Sequence, residues 1–348
     1  MRVSFDGGRI NERGVAVAIF DYALHARALL GVEPIILHDA RIAPEPAQLQ
    51  RFAGAFPTHA YQSEDERQRL IERERIDVAY FLKTGRKPIP ASKSSRTAIH
   101  EVFRFFRPHG DAYAYISSWL TKATTGSRYP AVPHIVDPPP SRANLRAEFG
   151  VPKDAFVVGR HGASDQFNLP FVAEAIEAAL QRRKNLWLML LNTDRFSTHE
   201  RIIHLPRAGD RQRVADFVGT CDAGLNARLS GEAFGLSIAE FLAEDKPVLV
   251  WEGGRDRNHL ELVDDPRFRY RTRSDLTQKL VELERCAGEG TFRARIDEFT
   301  PERVMRTFAS TFLEPGERAW PRLPPGFRLA SRARARLARW RDQYWIGR

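Results

Sequence analysis

The feature that most constrains this chain is an alternation: a short apolar run, a turn rich in glycine or polar residues, an amphipathic helix, then another apolar run. A helix between successive strands favours crossover connections, which build parallel sheets with helices on their faces. The first unit is clear: a strand at Arg2–Phe5, a loop "DGGRINERG", and a helix on which Val15, Ile19, Tyr22, Ala23, Ala26 and Leu30 recur at helical spacing before Gly31 stops it. Further strands are expected at Pro34–Leu37, Asp77–Leu82, Ala98–Ile99, Tyr113–Ile116 and His134–Val136. "SEDE", Ser63–Glu66, has the form of a capping box and opens a charged helix.

A proline-rich polar stretch then interrupts the pattern, which places a hinge at Pro138–Pro140. The alternation restarts with strands at Ala155–Gly159, Leu186–Leu191, Arg201–Leu205, Asp222–Asn226 and Pro247–Trp251. Asn168 and Pro170 are placed to start the helix that follows the first of these. At 348 residues the chain has room for two cores. The expected fold class is α/β, two Rossmann-like domains with parallel sheets: residues 1–138, residues 139–315, and a basic helical tail over 316–348.

Composition narrows the partners. The net charge of +10 favours anionic ones. The arginines are scattered through the α/β pattern without a recognition motif, which argues against nucleic acid. The two cysteines, Cys221 and Cys286, have no metal-ligand spacing, so no metal is expected. No apolar run approaches the roughly 18 residues that cross a bilayer, and "MRVSFDGG" lacks the apolar core of a signal peptide. The expected location is the cytoplasm, with the inner face of the membrane as the one membrane contact to consider, through the tail. That tail, "FRLASRARARLARWRDQYWIGR", carries Leu329, Leu337, Trp340, Tyr344 and Trp345 among arginines that surround much of the helix, a distribution that favours packing or a solvated tail.

Ligands of open α/β sheets bind beyond the carboxyl ends of the strands, so chemistry is expected where strands turn into helices. The stretch "SGEAFGLSIAEFLAEDKPVLVW" is such a junction. Gly235 stands where the helix begins, and exposed backbone N–H groups there suit a diphosphate. Glu240, further along, can accept hydrogen bonds from ribose hydroxyls, and Glu232, ahead of the helix, meets a group on the other side of the phosphates. Arg160 directly follows an apolar strand. His100 in "AIHEVF" ends a strand, and His109 in "PHGD" lies in a loop; for both, a purely structural role is the competing reading. Gly14 closes the first glycine-bearing loop.

"EAFGLSIAE" resembles the E-x7-E motif of retaining GT-B glycosyltransferases, particularly of the glycosyltransferase family four type, and "EFLAEDKPVLVW" continues as in that family. "VPHIVD", "FVVGRHG" and "CDAGLNARLSGE" match flanking pieces in order, so the similarity extends from about Val132 to Trp251. The resemblance implies a GT-B enzyme whose two domains face across a cleft and which moves a sugar from a nucleoside diphosphate to a glycan, lipid-linked or small-molecule acceptor with retention of configuration. It assigns Glu232 to the donor sugar, Glu240 to the ribose and Arg160 to the diphosphate, and sets His100 facing the reacting sugar. Phe234, Gly235, Leu236 and Gly14 are further candidate donor contacts, and His109, from its place in the loop, is a second catalytic candidate. The lysine that normally follows the arginine is missing: Asp165 and Gln166 stand there, and Arg228, Arg9 and Arg13 are the candidates to replace it. No D-x-D sequence occurs, which fits a reaction without bound metal or other cofactor. A nucleotide-sugar epimerase of the same fold class and a catalytically silent nucleotide-sugar-binding protein are the alternatives.

Overall fold

In the computed structural model, which describes residues 1–11, 13–83, 87–208, 210–286, 290–314, 321, 323 and 325–347, two six-stranded parallel sheets organise the chain. It divides into two units: Met1–Ile135 with Phe299–Arg328, and Val136–Glu298 with Leu329–Arg348.

The first unit holds β1 (Arg2–Asp6), β2 (Glu33–Asp39), β3 (Thr58–Tyr61), β4 (Val78–Lys83), β5 (Arg96–Glu101) and β6 (Ala112–Tyr115). They lie in the order β3-β2-β1-β4-β5-β6, the doubly wound arrangement. Helices cover the sheet, so β4 is buried at every residue and reads as an apolar run up to its last residue, Lys83. Ser63 caps its helix as expected, its Oγ accepting from the Glu66 N–H at 3.1 Å while Glu66 Oε2 accepts from the Gln62 N–H at 2.7 Å. His134–Val136, expected as a strand, joins no ladder. Tyr22 instead donates from its hydroxyl to the Pro133 carbonyl at 2.8 Å and lies 3.2 Å from His134 Nδ1.

The second unit holds β7 (Phe156–Arg160), β8 (Leu186–Leu191), β9 (Ile202–Leu205), β10 (Ala223–Asn226), the two-residue β11 (Gly231–Glu232), β12 (Val248–Trp251), the two-residue β13 (Asp256–Arg257) and β14 (Arg269–Tyr270). Its main sheet runs β14-β12-β10-β7-β8-β9, which in chain order is the same winding as the first sheet, while β11 and β13 pair apart. Asn168 does not cap the following helix, whose N-cap is Phe171 with no side-chain hydrogen bond. Its Oδ1 accepts from the Leu229 N–H at 2.9 Å, tying two loops at the carboxyl end of the sheet.

The division differs from the one expected. It falls after Ile135, ahead of the prolines, and Phe299–Arg328 belongs to the first unit rather than to the second domain or the tail. The reason is aromatic packing: Phe308 and Phe312 are fully buried, with ring centroids 5.0 Å and 5.3 Å from Tyr80. The expected boundary at 315 and the start of the tail at 316 lie outside the described residues. The helix Phe327–Ile346 follows, and no helix among the described residues is long and apolar enough to cross a membrane.

Candidate functional site

In the second sheet the order of connection reverses between β7 and β10, and a crevice at the carboxyl ends of two such strands is where doubly wound sheets bind ligands. Arg160 is the last residue of β7 and is 5 % exposed. Its Nη1 donates to the Asn192 carbonyl and to Thr193 Oγ1, each at 2.8 Å, and its Nη2 to the Ala163 carbonyl at 2.5 Å. Among the described residues no carboxylate is ion-paired with it. Burial outweighs the attraction of Glu232, Asp165 and Asp194 and lowers its pKa to about 10. A buried guanidinium short of compensating charge is improved by an incoming anion.

Glu232 ends β11, within electrostatic reach of the Arg160 guanidinium, and is 9 % exposed. Its carboxylate accepts from Arg228 Nη1 at 2.7 Å and from Asn226 Nδ2 at 3.1 Å, the asparagine being the last residue of β10. Its backbone is fixed from below. The Glu232 N–H donates to His259 Nδ1 at 3.2 Å, and the ring's Nε2 donates to the Trp251 carbonyl at 2.8 Å. These bonds require the neutral imidazole protonated on Nε2, and burial, which lowers the His259 pKa to about 4, keeps it neutral. The close seating depends on Gly231, where a Cβ would come within 2.0 Å of the Asp256 carbonyl oxygen.

Three residues on, the chain enters the helix Leu236–Ala243 through Gly235, whose φ of 103° suits glycine and no side chain. Phe234 is buried, its carbonyl accepting from Asn258 Nδ2 at 2.7 Å, and Leu236 is half-buried at the helix start. No side chain caps this helix, so its first turn presents backbone N–H groups beside Glu232. Glu240, half-buried one turn in, places Oε2 at 3.2 Å from His161 Nε2. The contact lacks hydrogen-bond alignment, and burial, reinforced by the neighbouring Arg160 charge, lowers the His161 pKa to about 3. The imidazole is therefore neutral, and the pair is a close contact without ionic attraction.

Arg160, Glu232, Phe234, Gly235, Leu236 and Glu240 thus belong to one unit and to the strand ends and helix start beside one another. The first unit holds the other candidates. His100 is fully buried among aromatic rings, its Nδ1 2.7 Å from the Tyr80 hydroxyl, and burial with the nearby His134 lowers its pKa to about 3. That is the position of a core histidine, with no exposed atom to meet a sugar. His109 is half-buried and uses both ring nitrogens in its loop: Nδ1 donates to the Arg107 carbonyl at 2.6 Å and Nε2 accepts from the Ile89 N–H at 3.1 Å. The hydrogen-bonded turn accounts for it. Gly14 is exposed at the first position of its helix, with open space where a Cβ would stand. Beside these, Lys83 and Glu101 at the ends of β4 and β5 form a buried ion pair of 2.8 Å, and burial raises the Glu101 pKa to about 7.

Sequence reasoning missed His161, Asn226 and His259. His161 follows Arg160 directly and Asn226 closes an apolar run, so position alone pointed at both. His259 acts only through the pairing of β11 with β13, which no local motif announces. Among the described residues no group of three or more His, Cys, Asp or Glu side chains is arranged to hold a metal ion.

No protein-family model matches the chain. No curated protein matches its sequence. Solved structures do resemble it. A glycosyltransferase from Rickettsia africae is 12 % identical over 89 % of this chain and 97 % of its own, with a TM-score of 0.66. HepE from Anabaena, in complex with UDP and glucose, is 14 % identical over 89 % of this chain and 99 % of its own, with a TM-score of 0.67. WaaG, a glycosyltransferase involved in lipopolysaccharide biosynthesis, is 11 % identical over 90 % of this chain and 100 % of its own, with a TM-score of 0.64. With two parallel six-stranded sheets wound alike and these neighbours spanning nearly their full lengths, the chain has the fold of the GT-B glycosyltransferases.

Proposed function

We propose that this protein is a retaining glycosyltransferase that moves a sugar, a hexose in the first instance, from a nucleoside diphosphate to a glycan, lipid-linked or small-molecule acceptor. One observation carries the reading: Arg160, Glu232, Glu240 and the uncapped helix start at Gly235 lie together at the reversal point of the second sheet. The diphosphate is held by Arg160 and the helix N–H groups, Glu240 takes the ribose hydroxyls, and Glu232 faces the sugar. As the bond from the anomeric carbon to the phosphate oxygen lengthens, charge grows on that oxygen, and each preorganised donor aimed at it lowers the barrier by about 3 kcal/mol. The acceptor hydroxyl attacks from the same face and passes its proton to the departing phosphate, so no separate base is needed, and the charge is handled by protein donors without a bound metal. Arg228 supplies the second cation in place of the lysine found in the resembling family, a role its position beside Glu232 supports.

HepE has been seen with UDP and with UDP-glucose, which makes uridine nucleotides the first donors to try. The test is a mass-spectrometric screen of nucleotide sugars for donor hydrolysis and transfer, run on the parent protein, Glu232→Ala and Glu240→Ala. Glu232→Ala is expected to abolish turnover while the protein stays folded, with a melting temperature lowered by the loss of the bonds from Arg228 and Asn226, and Glu240→Ala chiefly to weaken donor binding. Normal turnover by Glu232→Ala refutes the assignment.

A further inference from the structure

The carboxyl-terminal helix carries a second, separate feature. Of the large apolar side chains that stand exposed, four lie on it: Leu329 at 74 %, Leu337 at 69 %, Trp340 at 75 % and Tyr344 at 54 % exposure. At 3.6 residues per turn these four fall within an arc of about 80° on the helix surface. Asp342 lies roughly 180° from the middle of that arc. It is buried, accepting from the Gly254 N–H at 2.9 Å and from Arg257 Nη2 at 3.1 Å. Trp345, on the same side as Asp342, sits 5.4 Å from the Arg271 guanidinium. The helix is therefore docked on the second unit by one face and presents its apolar stripe on the other.

Charge identifies what suits that stripe. Phe327–Ile346 contains six arginines and one acidic residue, and the acidic residue is Asp342, turned inward. Arg336 is exposed at one edge of the stripe, with Arg339 exposed further round on that side and Arg334 beyond the other edge. A protein-binding helix of this kind meets an acidic groove, whereas Trp and Tyr within an apolar strip, edged by long basic side chains, match the boundary between lipid headgroups and acyl chains. Arginines scattered around the helix are no objection once one face is consumed by docking, because Arg334, Arg336 and Arg339 remain exposed outside it.

We infer that the outward face of the helix Phe327–Ile346 binds an anionic phospholipid surface, with Leu337 and Trp340 immersed and Arg336 and Arg339 at the headgroups. The inference does not rest on the proposed transferase activity, and its test requires no turnover. The full-length protein is sedimented with vesicles of phosphatidylcholine alone and of phosphatidylcholine mixed with phosphatidylglycerol. Binding to the mixed vesicles only is expected, weakening as ionic strength rises. Arg336→Gln and Arg339→Gln should each lower the partition coefficient about fivefold. Leu337→Gln combined with Trp340→Gln should lower it at least roughly tenfold while leaving the melting curve unchanged, since both side chains are exposed. Equal sedimentation with both vesicle types, none with either, or binding indifferent to the double variant overturns the inference. So does loss of self-association in the double variant without loss of vesicle binding, which would make the stripe a contact between protein copies.

Discussion

Arg160→Met separates a ligand-binding arginine from a structural brace. Methionine keeps the length and most of the volume but removes the charge and the donors to the Asn192 carbonyl, Thr193 Oγ1 and the Ala163 carbonyl. Hydrogen bonds to a charged group contribute at least about 1.5 kcal/mol each, so the loss is about 5 kcal/mol. Against it stands the burial of the cation. A pKa lowered to about 10 means that the charged form is disfavoured in the fold by about 3 kcal/mol, which the neutral side chain recovers. The net destabilisation should be about 1–2 kcal/mol, a fall in melting temperature of about 2–8 °C. Affinity for a nucleoside diphosphate should fall far more, by about 100-fold, because that ligand supplies the compensating charge. Calorimetric melting of the free protein and titration with UDP and GDP give the two numbers. A variant that loses most of its stability yet keeps diphosphate affinity within a few-fold would show that Arg160 is only a brace, and the reasoning fails.

Other outcomes follow from single features. His161 and His259, with pKa values lowered to about 3 and about 4, stay neutral in the fold, whereas unfolded imidazoles protonate near 6.5. Their contribution is complete above about pH 6.5 and is lost at about 1.4 kcal/mol per pH unit for each as pH falls towards 4. In the first unit His100 and His134 behave alike, but Asp6 and Glu101, raised to about 6 and about 7, bind protons in the native state over the same range and oppose the loss. Hydrogen exchange compared at about pH 7 and about pH 5 should therefore show the second unit opening more, and equal protection in both units contradicts this. Lys83→Met should cost about 3 kcal/mol by stranding Glu101, with most of it recovered in the double variant carrying Glu101→Gln; chemical denaturation reads both, and no recovery means that the pair is not the cause. Gly235→Ala should cost about 1–2 kcal/mol from its positive φ and crowd Leu262 Cδ1, 3.2 Å from the added methyl; an unchanged melting curve would refute the strain argument.

Much of the fold was legible because parallel strands buried on both faces are unbroken apolar runs, as in Leu186–Leu191, and need no partner to be recognised. Thr58–Tyr61 was not: it is a four-residue edge strand in which only Tyr61 is buried, with no run to see. The destination of Phe299–Arg328 was equally hidden. Val304, Met305 and Phe308 mark an amphipathic helix, but an apolar face does not say which sheet it covers. In the candidate site, the placement of Arg160 at a strand end and of Glu232 and Glu240 around a helix start was visible from the local apolar pattern. His259 was not, since its role depends on the pairing of Glu232 with Arg257 across distant segments. His100 shows the converse: an end-of-strand position says little when the side chain turns inward.

The return of Phe299–Arg328 to the first unit has a practical consequence for dissecting the protein. A fragment ending at Ile135 would lack the rings of Phe308 and Phe312, and its sheet would carry an open greasy seam over Tyr80. Expression of either half by a single cut therefore invites aggregation; a usable amino-terminal fragment has to be assembled from two separate stretches, spliced by a linker or supplied in trans.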